Sequence, residues 1–154
     1  MRKVPAVVAS QQAVLLLGSP FPVAFPSESN HAPVYPRVEL HNLARIAEWQ
    51  DNISWEAFID GVEIHRLYGD GLTGPSAALL RFRKAGKVTL HRHTGYEHII
   101  VLAGSQRDQN SVAEAGTLII NPPGTSHSVT SEAGCIVLAI YEKPVEFVPL
   151  ATVA

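Results

Sequence analysis

The sequence predicts an all-β fold, either a sandwich or a barrel of antiparallel strands. Apolar or alternating runs of about five to nine residues follow one another from Trp55 onward, separated by turn residues such as Gly, Pro, Asn and Asp. Only one short segment, near its start, has apolar residues at helical spacing. A chain of 154 residues suits one domain with a sizeable core.

Composition excludes several classes of function. The formal net charge is -2 and 17% of the residues are charged, which gives no basic surface for nucleic acid or for a membrane. No apolar run is long enough to span a bilayer, and Ser10-Gln11-Gln12 interrupts the only stretch resembling a signal peptide. Cys135 is the single cysteine, and we expect it to be a small buried strand residue. We therefore expect a cytoplasmic protein.

The amino-terminal part of the chain differs from the rest. Five prolines fall between residues 19 and 36, and such a density excludes a helix and most strands. We predict a proline-rich arm over residues 1–37 and a single domain over residues 38–154. The apolar residues 15–17 and 21–25 would be costly to leave in water, so we hypothesise a homodimer in which they cover the sheet of a partner.

The remaining elements follow in order. Apolar residues at three- and four-residue intervals between Val38 and Trp49 predict a short helix, with Asn42 able to cap it. The expected strands cover residues 55–58, 62–67, 76–83, 87–93, 98–104 and 116–120, and two more start near His127 and Cys135. Gly104 is expected to end its strand as a turn glycine.

Two histidines of the fourth expected strand point to a metal site. His91 and His93 are separated by one residue, and strand side chains alternate between faces, so both can point to one spot. Glu97 is also an even number of residues away from this pair, so its side chain could face the same way. Thr94-Gly95 weakens that argument, because a turn or bulge there leaves His98 as a competing ligand; Glu97 is preferred.

A second cluster supplies another imidazole. Asn121-Pro122-Pro123-Gly124 must break the preceding strand, and a tight turn there would swing His127 back across from the first pair. We predict that His91, His93, Glu97 and His127 bind one divalent metal, because these polar groups would otherwise be buried at a cost. Zinc, iron, manganese, nickel and copper all accept such ligands, and the residues alone leave the ion open.

These residues resemble the two sequence motifs of the cupins. The first motif, G-x5-H-x-H-x3,4-E-x6-G, is met by His91, His93, Glu97 and Gly104, with Gly86 one residue closer than the pattern asks. The second, G-x5-P-x-G-x2-H-x3-N, is met from Gly116 through His127, and Ser131 replaces its last Asn. The resemblance implies a double-stranded β-helix, the cupin jelly roll.

Within the cupins, the chain is most similar to the cupin-like domain of ChrR-type anti-sigma factors and its stand-alone relatives. Trp55, the segment Gly61-Val62-Glu63-Ile64-His65-Arg66-Leu67 and the two histidine motifs carry this resemblance. It implies zinc bound by three His and one Glu, and a ligand-sensing or regulatory role with a small molecule in the barrel. The sequence shows no separate zinc-binding helical domain for holding a sigma factor, so sigma binding is not implied.

An enzyme is the alternative function. The same ligand set would suit a metal-dependent dioxygenase acting on a small organic acid or diketone, with the metal as Lewis acid or oxygen activator. No further acid or base stands at fixed spacing from the motifs, so no catalytic residue is assigned. A lone strand histidine such as His65, and the pair Arg81 and Arg83, are expected to have structural or surface roles.

Overall fold

The computed structural model describes residues 36–149. Residues 1–35 of the predicted arm, which include its apolar residues 15–17 and 21–25 and the dimer contact proposed for them, lie outside the described residues. The described part consists mostly of β-strands, as the sequence predicts. None of its helices has the length and apolar character needed to cross a membrane.

Within residues 36–149, ten strands follow one short helical segment. Their bounds are β1 Glu56–Ile59, β2 Val62–Tyr68, β3 Ser76–Phe82, β4 Gly86–His93, β5 Glu97–Arg107, β6 Val112–Glu114, β7 Leu118–Asn121, β8 Ser126–Ser131, β9 Cys135–Tyr141 and β10 Val145–Phe147.

The strands form one antiparallel sheet curled into a half-barrel. Its order is β1-β2-β3-β9-β5-β8-β4-β10, and β6 and β7 also pair with β5. The first part of β5 pairs with β9 and β7, and its last residues pair with β6 and β8. β5 therefore joins the two halves of the jelly roll. The inner faces bury one apolar core, whose members include Val62, Leu80, Phe82, Val88, Val101, Val129 and Val137.

Gly104 lies inside β5 and does not end it, so the prediction of a turn glycine there is wrong. The strand continues to Arg107. Gly104 has a φ of 69° and follows a register shift between Val101 and Ala103, as in a β-bulge. A Cβ atom at this position would collide with the carbonyl oxygen of Gly134. Glycine is therefore required where β5 passes from one half of the sheet to the other.

The helical segment packs on the outside of the sheet. A four-residue helix, Ile46–Trp49, lies between two 3₁₀ turns, and Ile46 is fully buried against Leu79 and Ile136. The predicted cap at Asn42 is wrong in its mechanism, because this side chain makes no capping hydrogen bond. Its backbone is left-handed, and its carbonyl oxygen accepts hydrogen bonds from the Arg45 N–H and from Nε1 of Trp49.

Candidate metal centre

Three neighbouring strands bring the predicted ligands together. His91 and His93 lie on β4, Glu97 starts β5 and His127 lies on β8, directly opposite His91. All four side chains are buried, and one candidate ligand atom from each lies within 4.8 Å of the others. We call these four residues the cluster. It can hold a divalent metal ion, because imidazole nitrogens and a carboxylate oxygen are ligands of first-row metals.

The turn before β8 fixes the position of His127. The Gly124 N–H donates to the His93 carbonyl oxygen at 2.8 Å, and the His93 N–H donates to the Thr125 carbonyl oxygen at 2.9 Å. Gly124 has a φ of 88°, a backbone conformation that suits glycine. These bonds hold the turn against the end of β4, so His127 returns to a place across from the first histidine pair.

The side chains of the cluster converge on the Glu97 carboxylate. Nε2 of His93 lies 3.0 Å from Oε2 of Glu97, and Nε2 of His127 lies 3.6 Å from the same oxygen. The Asn121 amide donates to this oxygen at 2.8 Å. The three imidazole rings have centroids 4.7 to 5.2 Å apart.

The other nitrogen of each ring has a partner outside the cluster. Nδ1 of His91 donates to the Thr89 carbonyl oxygen at 3.0 Å, and Nδ1 of His127 lies 3.3 Å from a carboxylate oxygen of Asp108.

For His93 the partner is the Thr125 hydroxyl, 2.8 Å from Nδ1. That hydroxyl donates its own proton to the Pro122 carbonyl oxygen, so it accepts one from His93. Each ring therefore binds its outside partner through Nδ1 and directs Nε2 into the cluster, which is the arrangement that metal-binding histidines have.

One buried atom indicates that a group is missing from the cluster. Nε2 of His93 is the buried side-chain nitrogen or oxygen of residues 36–149 that has no hydrogen-bond partner, although Oε2 of Glu97 lies 3.0 Å away. Buried polar atoms are rarely left without a partner. A metal ion bound by three Nε2 atoms and one carboxylate oxygen would satisfy it, so the residues present fit such an ion.

Burial and hydrogen bonds set the charges around the cluster. Burial lowers the pKa of His91, which favours the neutral ring that a metal requires. Burial raises the pKa of Glu97, but the contact with His93, the amide of Asn121 and the other imidazoles outweigh it and leave that pKa below its usual value. Burial likewise raises the pKa of Asp108, and backbone N–H donors and His127 reverse the shift. Both carboxylates are therefore ionised near neutral pH.

One cavity lies beside the cluster, and a second cavity shares part of its lining. The inner chamber, of about 40 Å³, is lined by His91, Glu97, Gln106, His127, Tyr141 and apolar side chains. The vestibule, of about 210 Å³, is lined mainly by apolar residues that include Phe58, Ile64, Leu72 and Phe147. Phe58, Leu80, Tyr141, Val145 and Phe147 line both cavities. Burial raises the pKa of the Tyr141 hydroxyl, and the Glu97 carboxylate raises it further, so this hydroxyl stays protonated.

His98 and His65 stay outside the cluster. His98 stands on the opposite face of β5 from Glu97, with its ring centroid 6.3 Å from that of Tyr96. His65 packs edge-on to Trp55, and its Nδ1 lies 3.0 Å from the Ser54 carbonyl oxygen.

Other candidates from the sequence have structural roles. Arg81 is buried, pairs with Glu63 and Asp51 and stacks on Trp55, so it is not the surface residue that was expected. Cys135 is buried as predicted, and burial raises its pKa to about 11.

Sequence reasoning missed four residues around the cluster. Asp108 and Thr125 hold two of the imidazoles, Asn121 holds Glu97, and Gln106 faces the inner chamber. The sequence gives a signal for two of them, since Asn121 and Thr125 flank the proline turn that was identified. Asp108 lies in a loop that nothing in the sequence connects with His127.

Solved structures confirm the fold. The structure of Rhodobacter sphaeroides SigE in complex with the anti-sigma ChrR is 23% identical, with a TM-score of 0.53 over 73% of this chain and 70% of that one. An acetylacetone dioxygenase from Acinetobacter johnsonii is 14% identical, with a TM-score of 0.59 over 81% and 84%. An RmlC-like cupin from Ralstonia eutropha is 22% identical, with a TM-score of 0.55 over 62% and 66%. Likeness at these identities shows the fold.

The chain spans only part of some of these relatives. It covers 66% of the Ralstonia eutropha RmlC-like cupin and 55% of a second protein with a cupin-like fold from the same organism. No curated protein matches the sequence. The family model of the ChrR cupin-like domain matches residues 44–146, which are more than half of the chain and contain the whole cluster. The chain therefore belongs to the ChrR cupin-like domain family.

Proposed function

We propose that the chain binds one divalent metal ion through His91, His93, Glu97 and His127 and uses it in a ligand-sensing or regulatory role. The observation that carries the proposal is the common state of the three imidazoles. Each commits Nδ1 to an acceptor outside the cluster and leaves Nε2 free, and Nε2 of His93 is buried without a partner. A metal would take up these free nitrogens.

Zinc is the ion we propose first. Four protein donors of this kind complete a tetrahedral zinc site, which suits a structural or sensing role. Iron, manganese, nickel and copper accept the same donors but take five or six ligands, so they would keep open positions. The chamber beside the cluster gives room for such positions.

Membership in the ChrR cupin-like family supports the regulatory role. The ChrR of Rhodobacter sphaeroides is an anti-sigma factor in complex with SigE. We propose that residues 38–154 act as a comparable sensing domain in the cytoplasm, as a homodimer, without membrane or nucleic acid as partner. A small molecule in the barrel would be the signal.

A second candidate is a metal-dependent dioxygenase acting on a small organic acid or diketone. The observation that favours it is the inner chamber, because three of the four cluster residues line this cavity. The fold likeness to an acetylacetone dioxygenase agrees with this reading. A bound metal would supply Lewis acidity or oxygen activation, and Glu97 would then be a ligand and not a general base.

Elemental analysis of the full chain, purified without an affinity-tag metal, tests the proposal. We expect about one metal ion per chain, and well under one in His91→Ala and His127→Ala. His65→Ala is the matched control, since this strand histidine lies outside the cluster, and it should keep full occupancy. Full occupancy in all three variants would place the metal elsewhere. Oxygen uptake with a small acid or diketone would favour the dioxygenase, and zinc without uptake would favour the sensor.

A further inference from the structure

Gln106 is a buried polar residue of the inner chamber with no assigned role. It lies near the end of β5, beyond the Gly104 bulge, and is 5% exposed. It faces the chamber together with His91 and His127. Its amide makes no side-chain hydrogen bond within residues 36–149, and it is not one of the fully buried atoms without a partner, so it borders the open space of the chamber. An amide with its donor and acceptor facing this space can bind a polar group there.

The size of the chamber limits that group. A cavity needs about 10–15 Å³ for each water that it holds, so the chamber of about 40 Å³ takes about three water-sized atoms. The vestibule is about five times larger and mainly apolar. A ligand that uses both cavities has a compact polar head of about three atoms and an apolar tail.

The charges in the chamber determine the charge of the head. Glu97 is its only acidic lining residue, and no Lys or Arg lines it in the described part of the chain. A divalent ion with three neutral imidazoles and one carboxylate leaves a single positive charge. One negative charge on the ligand balances it, while a second would be buried without a partner.

We propose that the chamber and vestibule bind a monocarboxylate with an apolar chain, and that Gln106 determines this specificity. The proposal deepens the proposed function and rests on it. The amide N–H of Gln106 donates to one carboxylate oxygen while the other faces the cluster, and the chain runs past Phe58 and Phe147 into the vestibule. A carboxylate fits because it has three heavy atoms, one charge and two acceptor oxygens.

Arg66 offers a competing place for the carboxylate. It lines the vestibule and is exposed, together with Asp70. Hydrogen bonds from the backbone of Leu72 and Thr73 lower the pKa of Asp70, so the cavity that Arg66 lines also carries a charged carboxylate. An exposed charge pair gives little binding energy in water. The reversed orientation therefore has a weaker basis and is a separate outcome of the test.

The test uses the full chain loaded with cobalt(II), whose visible spectrum reports a change of ligands. Acetate, butyrate and hexanoate are titrated, and cobalt content is measured in every sample. In the unmodified protein each buried methylene should tighten binding about three- to fourfold. Gln106→Met should weaken all three ligands about tenfold and leave the cobalt content unchanged. Gln50→Met, the same change in a half-buried amide of the helical segment that lines neither cavity, should have no effect.

A second variant separates the tail from the head. Leu72 lines the vestibule and is 80% exposed, so Leu72→Ser should fold normally. It should reduce the gain from acetate to hexanoate and leave acetate binding unchanged. If Gln106→Met perturbs folding, Leu72→Ser still tests where the apolar chain of the ligand lies.

Three results would overturn the proposal. Equal binding of acetate and hexanoate would exclude the apolar tail, and unchanged binding in Gln106→Met would exclude the amide. A loss of acetate binding in Arg66→Met alone would reverse the orientation. Absence of cobalt from the unmodified protein would instead refute the proposed function itself. Stoichiometric cobalt with no response to any carboxylate would refute only the ligand.

Discussion

Thr125→Val should weaken metal binding without removing a ligand. The Thr125 hydroxyl accepts the proton of His93 Nδ1 and donates to the Pro122 carbonyl oxygen, so it fixes both the tautomer and the orientation of the ring. Valine keeps the shape of the side chain but offers no acceptor. His93 is 1% exposed, so water has poor access to the abandoned nitrogen.

The expected loss of metal affinity follows from the hydrogen bond that is removed, which orients a metal-binding histidine. Removing the partner of a metal-binding histidine typically costs about 10- to 100-fold in metal affinity, which corresponds to about 1.4–2.7 kcal/mol. The metal-free protein should lose about 1–3 kcal/mol of stability, because the buried nitrogen loses its partner. Zinc affinity is measured by competition with a chelator, and stability is measured by urea unfolding.

A matched control makes this result decisive. Thr130 is an exposed threonine on β8, the strand that follows the turn, and Thr130→Val makes the same chemical change away from the cluster. It should leave zinc affinity within about twofold of the unmodified protein, as expected for a surface substitution. If Thr125→Val also stays within that range, the hydroxyl does not orient His93, and the argument from the common Nδ1 state fails.

Two further predictions concern stability. The hydrogen bond from Arg81 lowers the pKa of Glu63, so this pair contributes stability above the unfolded pKa of about 4.3, and the contribution is lost as pH falls through the folded value. Glu63→Gln should lower the free energy of unfolding by about 1–3 kcal/mol at pH 7 and remove that acid dependence. The control Glu146→Gln, in an exposed pair, should lower it by less than about 1 kcal/mol. Equal urea-unfolding curves of the unmodified protein at pH 7 and pH 4 would contradict this. Gly104→Ala should cost more than Gly116→Ala, because both glycines have positive φ but only Gly104 lacks room for a Cβ atom. Gly116→Ala should cost about 1–2 kcal/mol from backbone strain alone, and equal losses would show that the bulge relaxes.

Local sequence rules account for the ligands better than for their surroundings. Alternation along a strand places His91 and His93 on one face, and the proline turn explains the return of His127. The partner of His127 could not be predicted, because Asp108 lies 19 residues away and meets it only through the packing of β5 against β8. The sequence also does not distinguish a glycine at a bulge from one at a turn, so Gly104 was assigned to the wrong place.

The position of the inner chamber connects the two functional readings. A tetrahedral zinc bound by all four cluster residues has a complete coordination shell, and a ligand in the chamber would then bind beside the metal or displace a protein donor. His91, Glu97 and His127 each line the chamber, whereas His93 does not. A displaced donor would thus be one of three residues, which are held by Thr89, Asn121 and Asp108 respectively. Displacement of His127 would move the loop that contains Asp108. In a metal with open positions the same ligand would bind without that movement. Carboxylate binding is compared in the zinc form and in a nickel form, whose ion keeps open positions, by the protection of the Asp108 loop from hydrogen exchange. Protection that changes only with zinc indicates a sensor, and protection unchanged with either metal contradicts signalling through this loop.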